Sequence, residues 1–137
     1  MAFSNASVCL VHGMSRPIGA FFHVAHGLSN AMLLPAVTAF SAGAAMERYA
    51  ECARAMGLVK RGSDTEAAVT GLLAELRQLN KDLKVPSPKE YGIEEEEYFS
   101  LLNTMAEQAL ASGSPNNNPR VPSVAEMAAL YKEVWES

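Results

Sequence analysis

Apolar residues recur at three- and four-residue intervals along most of this chain, which is the period of an α-helix with one buried face. Six stretches show this pattern or are apolar on nearly every side: residues 4–15, 29–42, 46–56, 63–83, 94–111 and 123–135. No stretch shows the two-residue alternation typical of a half-buried strand. The sequence therefore predicts an all-α fold of about six helices.

Proline and glycine suggest where the first helix ends. Because Pro17 disfavours helical geometry in the residue before it, the first helix is expected to end near Ser15. Residues 17–27 would then form a connection, with Gly19 and Gly27 as hinges.

The remaining turn signals lie farther along the chain. Pro35 is expected to kink the second helix, and Gly57 to end the third. The segments 85–89 and 112–122 are rich in proline, serine or asparagine, and both are predicted to be turns.

Two capping boxes predict helix starts. Ser63 with Glu66 would open the longest helix, and Ser123 with Glu126 the last one. Five apolar residues of the longest helix recur on one face and are expected to face the core: Ala68, Leu72, Leu76, Leu79 and Leu83. The acidic run 94–97 is interpreted as a solvated helix start, where the helix dipole favours negative charge, rather than as a metal site.

Composition narrows the class of protein. A chain of 137 residues with 49% hydrophobic and 19% charged residues suits one packed helical domain. The net charge is −4 and the only basic cluster is the pair Lys60 and Arg61, which argues against nucleic-acid binding. No apolar run is long enough to span a membrane and the first ten residues lack a signal-peptide pattern, so we expect a cytoplasmic protein. Cys9 and Cys52 are interpreted as buried thiols rather than a disulfide.

The candidate chemistry lies in the three histidines, His12, His23 and His26, which fall within fifteen residues. On one straight helix His12 and His26 would be about 21 Å apart. A chain break at Pro17 and Gly19 would allow the two rings to meet, and imidazole suits Zn²⁺ or Fe²⁺.

Two histidines do not complete a metal site, so the spacing leaves alternatives open. His23 is a third ligand, a proton-transfer group or a polar residue at the edge of a cleft. Two copies of the chain supplying His12 and His26 each would give a four-histidine site. The remaining alternative is that the three histidines form no common site and are unrelated core or surface residues, each hydrogen-bonded individually.

The segment 12–35, HGMSRPIGAFFHVAHGLSNAMLLP, resembles the signature of the iron-containing (group III) alcohol dehydrogenases. The resemblance continues through Arg48-Tyr-Ala and Ala55-Met-Gly, and through Asn118-Pro-Arg ahead of the last helix. It covers essentially the whole chain.

The resemblance implies a fold, a cofactor and a set of site residues. Members of the family that this chain resembles have two domains. An N-terminal α/β domain binds NAD(P), and a C-terminal helical domain has the dehydroquinate synthase-like fold. One aspartate and three histidines hold Fe²⁺, or sometimes Zn²⁺, which acts as a Lewis acid on the alcohol or aldehyde oxygen. By this resemblance His12 and His26 are metal ligands, and His23 lies close to the nicotinamide and the substrate as a catalytic residue.

Three positions depart from the family pattern. Arg16 stands where members commonly have a histidine, Ala25 where proline usually precedes the last ligand, and Asn117 where glycine is usual. None of them removes a ligand, but Arg16 brings a full charge close to the site.

The family's glycine-rich phosphate loop, its strand–helix alternation and its aspartate-and-histidine helix have no counterpart in residues 1–137. We therefore expect a single helical metal-binding domain that begins at an internal methionine and lacks the NAD(P)-binding domain. This domain would be inactive alone and would need an N-terminal partner chain or a second copy. The alternative is a non-catalytic interaction or oligomerisation module left from a truncated dehydrogenase.

Overall fold

The structure is a computed structural model that describes residues 2–59, 64–113 and 120–135, with side chains from Leu10 onward. Its helices are α1 (Ala2–Phe22), α2 (His26–Ala42), α3 (Met46–Ala55), α4 (Thr65–Asp82), α5 (Pro88–Tyr91), α6 (Glu95–Ser100), α7 (Leu102–Ala111) and α8 (Val124–Val134). The described residues contain no strand. The predicted all-α class is confirmed, although the described ranges hold eight helices rather than about six.

The two additional helices come from local backbone features. The predicted helix 94–111 is interrupted at Leu101, whose φ of −98° and ψ of 0° separate α6 from α7. The predicted turn at 85–89 leads into the short helix α5, which a capping box between Ser87 and Glu90 opens. Gly92 ends α5 in the left-handed conformation, with φ of 103°.

The predicted end of the first helix at Ser15 is wrong, because α1 continues through Pro17 to Phe22. Leu10, Met14 and Ile18 are fully buried on one face of α1, so the apolar stripe continues past the proline. Only residues after the proline depend on the helix continuing: Ile18 is fully buried, and Phe21 and Phe22 pack partly buried against the same core. Fully burying an apolar side chain contributes about 1.5–3 kcal/mol, so these three together offset the roughly 3 kcal/mol that an interior proline costs.

A long-range hydrogen bond supports α1 beside this proline. Pro17 has no N–H to donate to the carbonyl of Gly13. The hydroxyl of Tyr131, on α8, donates to the next carbonyl along, that of Met14. The hydroxyl of Tyr98, on α6, donates in turn to the carbonyl of Tyr131 at 2.7 Å, so α6, α8 and α1 are tied together.

The connection between α1 and α2 is shorter than the predicted 17–27 and comprises only residues 23–25. The backbone N–H of His23 donates to the carbonyl of Gly19 at 3.0 Å, and His23 has a positive φ of 57°. A Cβ at Gly19 would lie 3.2 Å from the carbonyl oxygen of Val24. The connection therefore runs back along α1, and glycine at position 19 allows this close approach.

The predicted core face of α4 is only partly correct. Ala68 and Leu72 are buried and Leu76 is half-buried, whereas Leu79 and Leu83 are 45% and 66% exposed. Near its C-terminus α4 contacts α2 through the neighbouring residue Asn80, whose side-chain amide donates to the carbonyl of Ala31 at 2.8 Å. At this end of α4, Asn80 forms the hydrogen bond to α2, while Leu79 and the following C-cap residue Leu83 are exposed.

The start and length of α4 also differ from the prediction. Asp64 is the N-cap and accepts a hydrogen bond from the backbone N–H of Glu66, while the predicted cap, Ser63, lies outside the described residues. With 18 residues α4 is shorter than α1, which has 21.

Two apolar clusters form the core, and α2 contributes to both. The larger cluster packs α1 and α2 against α6, α7 and α8, and the smaller packs α3 and α4 against the C-terminal end of α2. Arg120 joins α2 to the start of α8, because its guanidinium lies 4.2 Å from the centre of the Phe40 ring and pairs with Glu126. Of the family signature 118–120, the first two residues lie outside the described part of the chain.

None of the described helices has the length and apolar character needed to cross a membrane.

Candidate metal centre

The fold brings together His12 and His26, which lie fourteen residues apart in sequence. Their Nε2 atoms are 3.2 Å apart, and their ring centroids are 4.7 Å apart with an angle of 66° between the ring planes. His12 is half-buried on α1, and His26 is the exposed first residue of α2. The two rings meet because the connection at 23–25 runs back along α1, not because the chain breaks at Pro17.

Two buried serines help to hold the backbone on either side of this pair. The hydroxyl of Ser15 donates to the carbonyl of His12 at 3.1 Å, and that of Ser29 donates to the carbonyl of Ala25 at 3.1 Å. Ser15 and Ser29 are 1% and 0% exposed, and each buried hydroxyl is satisfied by a backbone carbonyl three or four residues earlier in the chain.

Asn30 is a third polar side chain at the pair, and it was not predicted from the sequence. Nδ2 of Asn30 lies 3.3 Å from Nε2 of His26. His26 precedes Asn30 by four residues, which is one turn of α2. Oδ1 of Asn30 is buried and has no hydrogen-bond partner among the described residues. The sequence carries one signal for this contact, the four-residue spacing that puts Asn30 and His26 on the same face of a helix.

The positions of the two nitrogens fit a shared metal ion. For metal–nitrogen distances of about 2.0–2.2 Å, nitrogens separated by 3.2 Å subtend about 93–106° at the ion. This range lies between the octahedral angle of 90° and the tetrahedral angle of about 109°. Neutral imidazole is a ligand that both Fe²⁺ and Zn²⁺ accept.

His23 is exposed in the connection between α1 and α2. The described residues contain no group of three or more histidine, cysteine, aspartate or glutamate side chains that could hold a metal. The structure thus pairs His12 with His26 and does not bring His23 into the same group.

Three other side chains were singled out in the sequence. Arg16 is exposed on α1, one turn after His12, so its positive charge lies on the same side of the helix. Cys52 is a half-buried free thiol, and burial, followed by the charge of Glu51, raises its pKa. The side chain of Cys9 lies outside the described part of the structure.

The acidic run at 94–97 is exposed at the start of α6, three of its residues lying in the first turn of that helix. This placement agrees with the interpretation of a solvated helix start.

Comparison with known proteins identifies the family of this chain. Residues 1–135 match the Fe-containing alcohol dehydrogenase family, C-terminal. The chain is 36% identical to the NADPH-dependent butanol dehydrogenase of Clostridium saccharobutylicum over 136 residues, which are 98% of this chain and 34% of that protein. It is 34% identical to the lactaldehyde reductase of Escherichia coli (strain K12), with coverage of 98% and 35%.

Solved structures give the same result. The fold superimposes on the crystal structure of a 1,3-propanediol oxidoreductase with a TM-score of 0.83 and 30% identity, covering 91% of this chain and 32% of the other. This chain therefore spans about a third of the length of the curated relatives it matches.

Proposed function

Because the chain belongs to the iron-containing alcohol dehydrogenase family, whose C-terminal part it matches, we propose that it is the metal-binding helical domain of an NAD(P)-dependent oxidoreductase acting on short alcohols or aldehydes. The observation that carries the proposal is the 3.2 Å separation of the two Nε2 atoms, which suits two ligands of one ion. The names of the relatives, which act on butanol, lactaldehyde and 1,3-propanediol, support the substrate class.

In this proposal His12 and His26 hold Fe²⁺ or Zn²⁺ through their Nε2 atoms. An ion held there would supply Lewis acidity for the alcohol or carbonyl oxygen in a reaction that exchanges hydride with the nicotinamide. His23, exposed in the neighbouring connection, is proposed to lie near the nicotinamide and substrate and to handle a proton there. No residue of this chain is assigned to the dinucleotide.

The isolated chain is proposed to have no alcohol dehydrogenase activity of its own. A complete site needs further ligands and a dinucleotide-binding domain, which we propose an N-terminal polypeptide supplies. The measurement is NAD(P)-dependent oxidation of short alcohols by the chain alone and after addition of an N-terminal fragment from a relative. Substantial turnover by the chain alone would contradict the proposal.

The metal site itself is tested by metal content after purification without chelators and reloading with Fe²⁺ or Zn²⁺. We expect about one ion per folded chain. The His12→Ala and His26→Ala variants should each lose the ion. Losing a residue that only hydrogen-bonds to a ligand already weakens metal binding by about 10–100-fold, and losing a ligand should weaken it at least as much. His23→Ala is the matched control and should retain the ion. Equal binding in all four proteins, or no binding in the unmodified chain, would contradict the assignment.

One observation favours a second candidate function, that of an oligomerisation module. The exposed leucines Leu79 and Leu83 lie close together at the end of α4, where a second copy could cover them. Light scattering tests this candidate: a dimer that becomes a monomer in Leu83→Glu would support it, and a monomer in the unmodified chain would refute it.

A further inference from the structure

A second concave surface lies between α2, α4, the segment 85–87 and α8, and none of the three histidines lines it. It is a cleft of about 750 Å³, which lies within the roughly 300–1,000 Å³ typical of sites for small organic molecules. Its apolar lining comes from Met32, Pro35, Ala36, Val85 and Pro86. The cleft therefore offers apolar surface to a ligand at a place that the metal site does not use.

The wall between α2 and α4 is fixed by a hydrogen bond to a carbonyl that Pro35 leaves without its helical donor. Pro35 has no N–H, so the carbonyl of Ala31, four residues earlier on α2, lacks the usual partner within the helix. The side-chain amide of Asn80 donates to this carbonyl at 2.8 Å, and Asn80 itself lines the cleft. A specific contact thus sets the position of α4 beside α2, and the cleft is formed without a ligand.

Three cationic side chains line the cleft on the side of α4. Arg77 and Lys81 on α4, and Lys84 just after its end, recur at four- and three-residue intervals, the spacing of neighbours on one helix face. The structure gives none of them an ion pair with another residue that it describes. Glu90 and Glu133 also line the cleft, and Glu90 already accepts a backbone hydrogen bond in the capping box of α5. The cleft is therefore net positive, in a chain whose net charge is −4.

Lys84 has a backbone conformation that lysine rarely adopts. It follows the C-cap of α4 with a positive φ of 57°, and the next N–H, that of Val85, donates to the carbonyl of Asn80 at 2.8 Å. Glycine is the usual residue at this position of a helix end, because a side chain costs free energy at positive φ. Lysine is thus the less stable choice for the backbone, and its side chain lines the cleft. Strain of this kind at the edge of a cleft points to a use for the side chain.

We propose that this cleft binds a small amphiphilic anion, a medium-chain carboxylate. Its carboxylate would pair with Arg77, Lys81 and Lys84, and its alkyl chain would lie against Met32 and Ala36, which are 4% and 7% exposed. The cations favour a carboxylate over a neutral alcohol of the same length, and the apolar lining favours a long carboxylate over a short one. This inference is independent of the proposed metal site, because the two share no residue.

The experiment is isothermal titration calorimetry of the full chain with octanoate, octan-1-ol and acetate. The first probe carries the charge and the alkyl chain together, and the other two carry the alkyl chain alone and the charge on a single methyl group. We expect octanoate to bind at least about ten-fold more tightly than either of the others, and more weakly at high salt. Equal affinity for octanoate and octan-1-ol, or for octanoate and acetate, would overturn the proposal.

Lys84→Gly is the most informative variant, because it removes a cation and relieves the positive φ at the same time. It should weaken octanoate binding by about two- to five-fold, while the urea midpoint stays the same or rises. Arg77→Gln should weaken binding by a similar factor, and Glu133→Gln should tighten it, because it removes a negative charge. Lys132→Gln, at an exposed position of α8 outside the cleft, is the matched control and should bind octanoate as the unmodified chain does.

His12→Ala separates this cleft from the metal site. It should lose the metal ion and keep its affinity for octanoate. If it loses octanoate as well, the carboxylate binds at the histidine pair, and the inference about the cleft is overturned. If the unmodified chain binds a metal ion but no octanoate, or if Lys84→Gly and Arg77→Gln both keep full octanoate affinity, the inference also fails and the histidine site stands.

Discussion

Raising the pH above 10 is expected to destabilise the fold through two buried tyrosines, Tyr98 and Tyr131. Both side chains are 0% exposed, and burial raises the pKa of each phenol well above its ordinary value of 10. For Tyr131 the charge that Tyr98 would carry raises the pKa further. In the unfolded chain both phenols ionise near pH 10.

The sign and size of the effect follow from proton linkage. Above pH 10 the unfolded chain releases two protons that the native state keeps, so the free energy of unfolding falls as the pH rises. This contribution is fully present below pH 10. Between pH 9 and pH 11 each phenol accounts for a loss of about 1.4 kcal/mol, and the two together for about 2.7 kcal/mol.

The assay is urea unfolding at pH 8, 9, 10 and 11, followed by the fluorescence of Trp135, the single tryptophan. The comparison protein is the double variant Tyr98→Phe/Tyr131→Phe, in which all other titrating groups are the same. At pH 8 the variant should be less stable by about 1 kcal/mol for each hydrogen bond lost. Between pH 9 and pH 11 the unmodified chain should lose about 2.7 kcal/mol more than the variant does. Parallel pH profiles for the two proteins would refute the reasoning.

Three further substitutions test other parts of the structure. Arg16→Gln removes a positive charge one turn from His12, so it should tighten binding of a divalent ion by about two- to ten-fold at low salt. The effect should be smaller at high salt, which screens the charge. Unchanged affinity in a metal titration would contradict this. Gly19→Ala should weaken metal binding, because the new Cβ would lie 3.2 Å from a backbone oxygen of the 23–25 connection, whereas Gly27→Ala meets nothing within 4 Å and is the control. Ser123→Ala should lower the free energy of unfolding by about 1 kcal/mol in urea, since it removes the N-cap of α8; an effect no larger than that of Ser100→Ala would refute the assigned cap.

Local signals in the sequence correctly predicted those helix ends whose conformation depends on neighbouring residues. The capping box of Ser123 and Glu126 forms both of its hydrogen bonds, at 3.1 and 3.2 Å. Gly57 follows α3 with a positive φ of 74°, as its predicted role as a helix stop requires. In both cases the residues that decide the conformation lie within four positions of each other.

The sequence could not predict structure that depends on distant contacts. Pro17 was expected to end the first helix, but α1 continues to Phe22. Its buried face extends past the proline, and the hydroxyl of Tyr131 donates to the nearby carbonyl of Met14. Likewise, the spacing of Leu79 and Leu83 fits a core face, but both side chains are exposed, and Asn80 instead forms the hydrogen bond to α2. Both hydrogen bonds join residues that are far apart in sequence, so local spacing could not predict them.

The candidate site was predictable in part. The clustering of histidines and the family resemblance indicated His12 and His26, and the structure places their rings in contact. Their metal-binding role and that of His23 stay predictions. Asn30 was not predicted because a single asparagine is not a specific signal for a site, and a spacing of one turn becomes informative only when the direction of the His26 ring is known.

The short connection at 23–25 has a consequence for the order in which the fold forms. The two imidazoles meet by closing a loop of fourteen residues, whereas the hydrogen bond from Tyr131 to Met14 spans 117. Because closure entropy grows as (3/2)RT ln n, the histidine contact costs about 1.9 kcal/mol less to close than the tyrosine contact. We therefore expect the imidazole pair to assemble with α1 and α2, before α8 docks. A metal ion available during synthesis would then meet both histidines before the rest of the domain has folded.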